Sequence, residues 1–446
     1  MAKKIELLAT ILKELEIAQN ITWEPLQTGA DSGFSFPPQL WLGDGRSLAA
    51  TDKLIAAISE YAHILLNNNQ SLKSALNNQE FESLVQRAFA QSLVAVDHGL
   101  LTDGISVEIQ KKVEARISEA IAFNGKPVDL MLGCQLLVGD GIYPITIGPV
   151  NFDERLQWLD RAHKDGRVSN VAMRRLSAKW NGQVQRKRKE SIDYLTEKGV
   201  LNSVGHYPVV CTVGTKGLSS KFVEEKGLLA ARLAMTALSL MWQSPSKALG
   251  WMKLQHDGKS FVCHHVRFGV GCGLGSSMSI SGLPTGKFVE PDWIKTYALY
   301  SAQFGQIGEA LSAFVNPEIH TTRSNLLNAL FLSLWWYHQA CRETSNQMAT
   351  TKFAASMDAL AGGHKARGIV KFIGARLRFA PDEALMKDGR TTKSVVTEIY
   401  DAGRSRLIHG TSVNYSHDWT EAGHLHQPHD LMGCWRSSRP RGVRHV

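Results

Sequence analysis

The residues best suited to chemistry lie in the stretch SVVTEIYDAGRSRLIHGTS, residues 394–412. Arg404 and His409 stand five positions apart there, and Ser405 follows the arginine. An arginine offers a fixed set of donors that fit phosphate oxygens, and a histidine exchanges protons near neutral pH. Such a pair suffices for RNA strand scission, in which the 2′-hydroxyl of the substrate is the nucleophile and no metal is needed.

The element that must position this pair is predicted to be a helix. Apolar residues from Val395 onward form one stripe, and Gly410 suits the position after a last helical turn. On one ideal α-helix, residues five apart differ by about 140° around the axis and about 7.5 Å along it. Arg404 and His409 would then share one phosphate only at the helix end or where two copies of the helix meet. The alternative is a structural pair of basic residues favoured by the helix dipole.

The sequence around the pair resembles a known family. IYDAGRSRLIHGTS is similar to the Arg-x4-His signature of the HEPN superfamily, and specifically to its ApeA-like branch. TTKFAASMDALAGG, residues 350–363, resembles the preceding helix of that branch, with Asp358 at its acidic position. Trp335 and Trp336 fall in the helix before it. The resemblance covers residues 300–415, about a quarter of the chain.

The resemblance implies a C-terminal all-α HEPN bundle that acts as a metal-independent ribonuclease in defence against phage. Under it, His409 is the general acid or base that forms 2′,3′-cyclic phosphate ends, and Arg404 holds the scissile phosphate. Ser405 orients His409 or the phosphate, and Asp358 positions Arg404. The implied partners are an RNA substrate, a second copy of the chain as homodimer and a phage-derived trigger, with no cofactor and no metal. The alternative is a non-catalytic HEPN module that binds RNA or protein, or that dimerises.

Two features depart from the family pattern. Ser405 stands where many HEPN nucleases have Asn, Asp or His. The stretch from residue 422, AGHLHQPHDLMGCWRSSRPRGVRHV, has two prolines and no apolar period where the family has a closing helix. The sequence therefore predicts a basic, His- and Arg-rich tail at 421–446.

Composition places the protein among globular chains. Of its 446 residues, 43% are hydrophobic and 20% are charged, and this length predicts two or three domains. Charged residues interrupt the apolar residues near the N-terminus, and no run of about 18 uncharged apolar residues occurs, so we expect a cytoplasmic protein that does not enter the membrane. The six cysteines form no CxxC pair, which favours reduced thiols.

The apolar patterns predict an α+β fold that is mainly helical. We expect a mainly helical region at 1–124, a mixed α/β region at 125–289, a HEPN-like helical domain at 290–420 and the tail at 421–446. In the mixed region, VDLMLGCQLLVGDGIYPITIGPV predicts a hairpin whose turn is Gly139-Asp140-Gly141.

The positive charge is concentrated in one segment of the mixed region. Residues 161–199 contain eleven Lys or Arg and four acidic residues, a net charge of +7 in a chain whose net charge is +9. Such a segment would attract a phosphate backbone, although a solvated helix face also explains it.

Two further patterns suggest sites that we do not expect. FGVGCGLGSSMS, residues 268–279, has the glycines of a nucleotide-binding loop, but SISGLPTG follows it instead of a helix, so a glycine-rich strand or loop is predicted. Cys263, His264, His265 and Cys272 are zinc-ligand types without the usual paired spacing. The tail histidines 424, 426 and 429 are expected to be exposed rather than to bind a metal.

Overall fold

The computed structural model describes most of the chain. The described residues are 2–20, 38–94, 103–124, 126–137, 142–186, 189–242, 244–257, 261–269, 272–281, 293–319, 321–343, 346–386 and 388–405. They form a mainly helical α+β fold, as the sequence predicted. None of their helices is long and apolar enough to cross a lipid bilayer.

The described residues contain sixteen α-helices and nine strands. The helices are α1 (Ala2–Asn20), α2 (Asp52–Asn67), α3 (Gln70–Ala75), α4 (Asn78–Leu93), α5 (Asp103–Asn124), α6 (Arg155–Lys164), α7 (Asn170–Trp180), α8 (Ile192–Val204), α9 (Ser220–Ser239), α10 (Pro245–Trp251), α11 (Trp293–Leu299), α12 (Ser301–Val315), α13 (Ser324–Cys341), α14 (Asn346–Leu360), α15 (Lys365–Leu377) and α16 (Thr392–Thr397). The strands are β1 (Gln39–Trp41), β2 (Ser47–Ala49), β3 (Val128–Gln135), β4 (Ile145–Ile147), β5 (Val150–Glu154), β6 (Val209–Thr215), β7 (Lys253–Leu254), β8 (Phe261–Gly269) and β9 (Cys272–Ser281). A 3₁₀ turn spans Gln255–Asp257, and a π-helix spans Glu398–Ser405.

The chain divides into two units. The first unit comprises Met1–Val128, Thr215–Lys226 and Val315–His320, and the second comprises Asp129–Gly214, Gly227–Phe314 and Thr321–Val446.

The first unit is a cluster of helices with one short antiparallel hairpin, β1–β2. Apolar faces of α1, α2, α4 and α5 bury a shared core, in which the rings of Tyr61 and Phe89 meet edge to face at 5.3 Å. Thr51 caps α2 by accepting from the Leu54 N–H, and its hydroxyl also donates to Glu14 of α1 at 2.8 Å. The helical periodicity of the sequence thus predicted these helices because each has one buried face.

The second unit contains a five-stranded sheet in the order β4-β5-β6-β3-β7. The predicted hairpin between the two apolar runs of 128–150 is wrong, because β5 and β6 lie between β3 and β4. The proposed turn, residues 139–141, falls outside the described residues. A tight turn at Gly148 instead pairs β4 with β5, as Ile147 faces Val150. Apolar runs predict strands. When both faces of the sheet are covered, however, the run does not show which strand is the neighbour in the sheet.

Three helices cover one face of this sheet. Apolar residues of α6, α7 and α8 share a core with Val210 of β6 and, at its edge, Met131 of β3. We call these three helices the basic helical layer, because they span most of the 161–199 segment. The described residues of VQRKRKE, by contrast, lie in the irregular connection between α7 and α8 rather than on a helix.

The helices of the C-terminal part of the second unit contact one another and the sheet. The β4–β5 turn approaches α12 so closely that a side chain on Gly148 would lie 2.4 Å from the Gly308 carbonyl oxygen. Gly148 also has a φ of +57°, so both space and backbone angle favour glycine there. Ser333 of α13 and Ser356 of α14 are buried and hydrogen-bonded to each other at 3.0 Å.

The described residues of the glycine-rich segment lie in strands, which is one of the two predicted alternatives, strand or loop. β9 pairs antiparallel with β8, and Cys263 lies opposite Ser279 in the register. A nucleotide-binding loop needs a helix start after the glycines, and here the strand continues to Ser281.

Candidate active site

The Arg-x4-His stretch does not form one continuous α-helix. The helix α16 begins after Thr391, whose side chain accepts from the Ser394 N–H, and it ends at Thr397. Glu398–Ser405 then forms a π-helix. The single α-helix predicted from Val395 onward is therefore wrong. The rotation of about 100° per residue in an α-helix consequently does not describe the backbone that leads to Arg404.

A π-helix has hydrogen bonds from residue i to residue i+5, so its turn is wider than that of an α-helix. Such segments are rare and occur frequently at functional sites. Arg404 and Ser405 occupy its last two positions. The side chains of 402–405 and the whole of His409 lie outside the described part of the chain, so the pairing of Arg404 with His409 stays a prediction.

An apolar cluster anchors the start of the π-helix. Tyr400 is 8% exposed and packs with Val396 of α16 and with Ile369 and Ile373 of α15. Met357 of α14 lies at the edge of the same cluster. Tyr400 is thus a packing residue, and it fixes the backbone four residues before Arg404.

Asp358 contacts the Tyr400 side chain of this cluster. Its carboxylate is 9% exposed, and Oδ2 accepts a long hydrogen bond from the Tyr400 hydroxyl at 3.4 Å. Oδ1 accepts from the backbone N–H of Lys365 at 2.9 Å, at the first residue of α15. We call Asp358, Tyr400 and the Lys365 N–H the Asp358 cluster.

The backbone around the Asp358 cluster is unusual. The turn from α14 to α15 contains Gly362, Gly363 and Lys365, all with left-handed φ angles of 75°, 77° and 57°. A non-glycine residue rarely adopts this angle, and the Asp358 hydrogen bond helps to stabilise Lys365 in it. Asp358 therefore connects the start of α15 to the π-helix. Its predicted contact with Arg404 concerns a side chain outside the described residues.

Sequence reasoning missed a second buried cluster in the same unit. Asp257 accepts from Nε of Arg232 at 2.8 Å, and Nη2 of Arg342 lies 3.5 Å from its other oxygen. The Leu254 N–H donates to that oxygen at 3.0 Å, and Arg342 also donates to the Met252 carbonyl at 2.6 Å. We call Arg232, Asp257 and Arg342, together with the adjacent His338, the arginine cluster. Its members are far apart in the sequence, so no local pattern predicted it.

The pKa values in the arginine cluster follow from burial and charge. Burial alone would raise the pKa of Asp257, but Arg342, the Leu254 N–H and Arg232 together bring it below its ordinary value. Burial lowers the pKa of Arg342, which Asp257 opposes. Burial also lowers the pKa of His338 to about 3, and the positive charge of Arg342 adds to this effect.

His338 is consequently a neutral imidazole at pH 7. It is 1% exposed, and its Nδ1 lies 2.9 Å from the Thr236 hydroxyl. Because that hydroxyl donates its one hydrogen to the Arg232 carbonyl, Nδ1 of His338 is the donor to Thr236. A histidine that remains neutral and buried serves packing, not proton transfer.

The first unit contains a groove of about 880 Å³ between α4, α5 and the start of α9. Its lining is partly apolar and of mixed charge, with Arg87, Arg116 and Glu119. Glu80 in the groove accepts from the Ser219 hydroxyl and from the Lys221 N–H, so this carboxylate caps α9. The hydrogen bond between Ser219 and Glu80 therefore has a structural role at the start of a helix.

Among the described residues, no group of three His, Cys, Asp or Glu side chains lies close enough together to hold a metal ion. The side chains of Cys263, His264, His265 and Cys272, and the tail histidines, lie outside that part of the chain. Cys134, Cys211 and Cys341 are free thiols.

Comparison with known proteins adds no family assignment: no family model, no curated protein and no solved structure matches this chain.

Proposed function

We propose that the protein is an endoribonuclease of the HEPN type that needs no metal and leaves 2′,3′-cyclic phosphate ends. One observation carries the proposal furthest: Arg404 and Ser405 occupy the last two positions of a π-helix that Tyr400 anchors to the buried Asp358. A rare backbone geometry persists where the surrounding packing stabilises it, and it is common at functional sites.

The chemistry assigns one task to each residue of the stretch. His409 removes the proton of the substrate 2′-hydroxyl as it attacks the adjacent phosphorus, or gives a proton to the 5′-oxygen as its bond to phosphorus breaks, and Arg404 stabilises the negative charge that grows on the phosphate oxygens. Ser405 orients His409 or the phosphate. Asp358 acts through Tyr400 and the π-helix backbone, and is thus a positioning residue.

Two copies of the C-terminal helical domain would supply the complete site. A homodimer lets groups from both chains surround one phosphate, which the spacing of Arg404 and His409 favours. We assign the activity to the cytoplasm, as part of defence against phage, with a phage-derived trigger. The reduced state of the three described cysteines agrees with that compartment.

The decisive experiment incubates the protein with total RNA in EDTA and examines the new RNA ends. We expect cleavage with cyclic phosphate ends, and a loss of at least about 100-fold in the Arg404→Ala and His409→Ala variants, because each removes a transition-state contact. Arg376→Ala and His424→Ala are matched controls, since they remove the same side-chain types outside the signature.

Unchanged cleavage in both signature variants would refute the assignment of the site. Binding of RNA with no cleavage by the wild type would instead favour the non-catalytic HEPN module. Abolition of wild-type cleavage by EDTA would favour a metal-dependent nuclease.

A further inference from the structure

The basic residues of 161–199 fall into two structural sets. In the first set, three arginines of the segment are paired with carboxylates. Arg161 binds Asp153, Arg167 binds Asp129, and Arg175 binds Glu197. Asp153 and Glu197 are buried, with 2% and 5% exposure. These arginines therefore connect the helices of the basic helical layer to one another and to the sheet.

The second set consists of cations that are exposed. Their side chains form no ion pair or hydrogen bond with any described residue. We assign to this set Lys164, Arg174, Lys179, Lys189 and Lys198; Arg186 is also exposed, but its backbone carbonyl accepts from Arg175 of the first set.

The position of Arg174 shows how the two sets are separated. It lies two residues from Ala172 and from Leu176, which are both buried in the core of the layer. A separation of two residues is about 200° around a helix, so Arg174 faces away from that core.

Pairing makes the outer surface more basic than the sequence suggests. Glu197 is one of the four acidic residues of the segment, and its charge is buried beside Arg175. Asp193 lies half-buried and accepts from the Ser169 hydroxyl at 2.6 Å. Asp165 and Glu190 remain exposed against the five cations of the second set. The exposed excess is therefore positive, and it extends from the end of α6 to the middle of α8.

We propose that this outer surface of the basic helical layer binds the phosphate backbone of single-stranded RNA. The inference deepens the proposed function, on which it rests for the choice of RNA as the polyanion. Lysines and an arginine spread over three helices and a connection suit an extended chain of phosphates. A helix that lies in a membrane surface instead has its cations beside one broad apolar face. The exposed large apolar residues of the layer are divided among its three helices and the connection: Leu156, Val171, Val184, Ile192 and Leu195.

The test measures binding of a single-stranded RNA oligonucleotide by fluorescence anisotropy at several salt concentrations. All proteins carry His409→Ala, so that cleavage does not interfere. A layer variant replaces the five cations of the second set by Gln. A control variant makes five Lys→Gln replacements at exposed lysines of the first unit, and so has the same net charge: Lys13, Lys53, Lys73, Lys111 and Lys221.

We expect the layer variant to bind at least about 30-fold more weakly at 150 mM salt, with a smaller salt dependence. Each lost phosphate contact reduces the slope of log K against log salt by about 0.7 for a single strand. The control variant should bind like the parent. A third variant, with Lys→Arg at the four lysines and Arg174→Lys, should bind like the parent as well, because it keeps every charge. Equal melting temperatures check that all variants are folded.

Several results would overturn the proposal. Equal loss in the layer and control variants would mean that only net charge matters, and no loss in the layer variant would exclude this surface. Binding to phosphatidylserine vesicles through the five cations, with no binding to RNA, would assign the surface to a membrane. If the wild type cleaves RNA but the layer variant binds normally, the proposed function stands and the docking surface fails. If no cleavage occurs but binding depends on the layer, the docking surface stands and the proposed nuclease function fails.

Discussion

Two buried carboxylates of the second unit are held in different ways. Asp257 in the arginine cluster lies between the guanidinium groups of Arg232 and Arg342. Asp358 accepts from the backbone N–H of Lys365 and from the Tyr400 hydroxyl. The first arrangement compensates buried charge, whereas the second joins two backbone segments. The difference teaches that burial alone does not identify a functional carboxylate, since only Asp358 connects to the segment that carries Arg404.

The largest expected effect comes from breaking the arginine cluster. Asp257→Ala should lower the free energy of unfolding by about 4 kcal/mol, because it leaves two partly buried guanidinium groups without their counter-charge. Urea unfolding followed by circular dichroism measures the change. Asp44→Ala is the control, since Asp44 and its partner Arg46 are both exposed and a solvent-screened pair contributes little to stability. A cost for Asp257→Ala near that of the control would show that the cluster is not a stabilising unit.

A smaller effect is expected from acidification of the same cluster. The pKa of His338 is about 3 in the folded protein and about 6.5 in the unfolded chain, so the unfolded chain binds the proton first as the pH falls. This linkage should remove about 2 kcal/mol of stability between pH 7 and pH 5. The contribution of neutral His338 to stability is fully present above the pKa of the unfolded chain. It is lost as the pH falls toward the pKa of the folded protein.

The His338→Gln variant isolates this contribution. Its free energy of unfolding should fall by about 2 kcal/mol less than that of the wild type over the same pH interval. Parallel curves for the two proteins would contradict a neutral His338. Asp257 responds at lower pH, because its lowered pKa makes its stabilisation present above about 3.9 and lost as the pH falls further.

The smallest effect on stability, but a specific effect on activity, is expected in the Asp358 cluster. Tyr400→Phe removes the hydroxyl that reaches Asp358 and should cost about 0.5–1 kcal/mol. If the π-helix positions Arg404, RNA cleavage should fall at least about 10-fold even where the protein is fully folded, because small misplacements of catalytic groups are costly.

Tyr297→Phe is the matched control for that experiment. The Tyr297 hydroxyl donates to the Thr146 carbonyl at 2.8 Å, in the same unit but outside the Asp358 cluster. The Tyr297→Phe substitution should lower the free energy of unfolding by a similar amount and leave RNA cleavage unchanged. Equal loss of cleavage in the two variants would sink the positioning role of Tyr400 and Asp358.

The sequence predicted the elements better than their partners. The helices α2, α4 and α9 follow from apolar spacing, because each buries one face or nearly all of its surface. The pairing of β3 was wrong, because its neighbours in the sheet come from β6 and β7, later in the chain. Likewise, the sequence could not divide the cations of 161–199 into paired and exposed ones. That division depends on the positions of Asp129, Asp153 and Glu197 beside the arginines of the segment.

The candidate site was predictable in part. The residue types and spacing of Arg404 and His409 mark the stretch, and Asp358 was expected on the preceding helix, where α14 places it. The π-helix was not predicted, because its sequence carries the same apolar stripe as an α-helix. The link from Asp358 through Tyr400 could not be foreseen either, since it depends on how three helices pack.

The π-helix also has a consequence for the length of the chain. An α-helix completes a turn in 3.6 residues, and a wider turn holds one residue more than its α-helical equivalent. Removal of a single residue between Glu398 and Gly403 would allow an ordinary α-helix and would leave the backbone at Arg404 facing nearly as before, because the wider turn already absorbs that residue. The segment can therefore be understood as a one-residue insertion that the π-helix absorbs, whereas an α-helix of the same eight residues would rotate the backbone at Arg404 by about 100°.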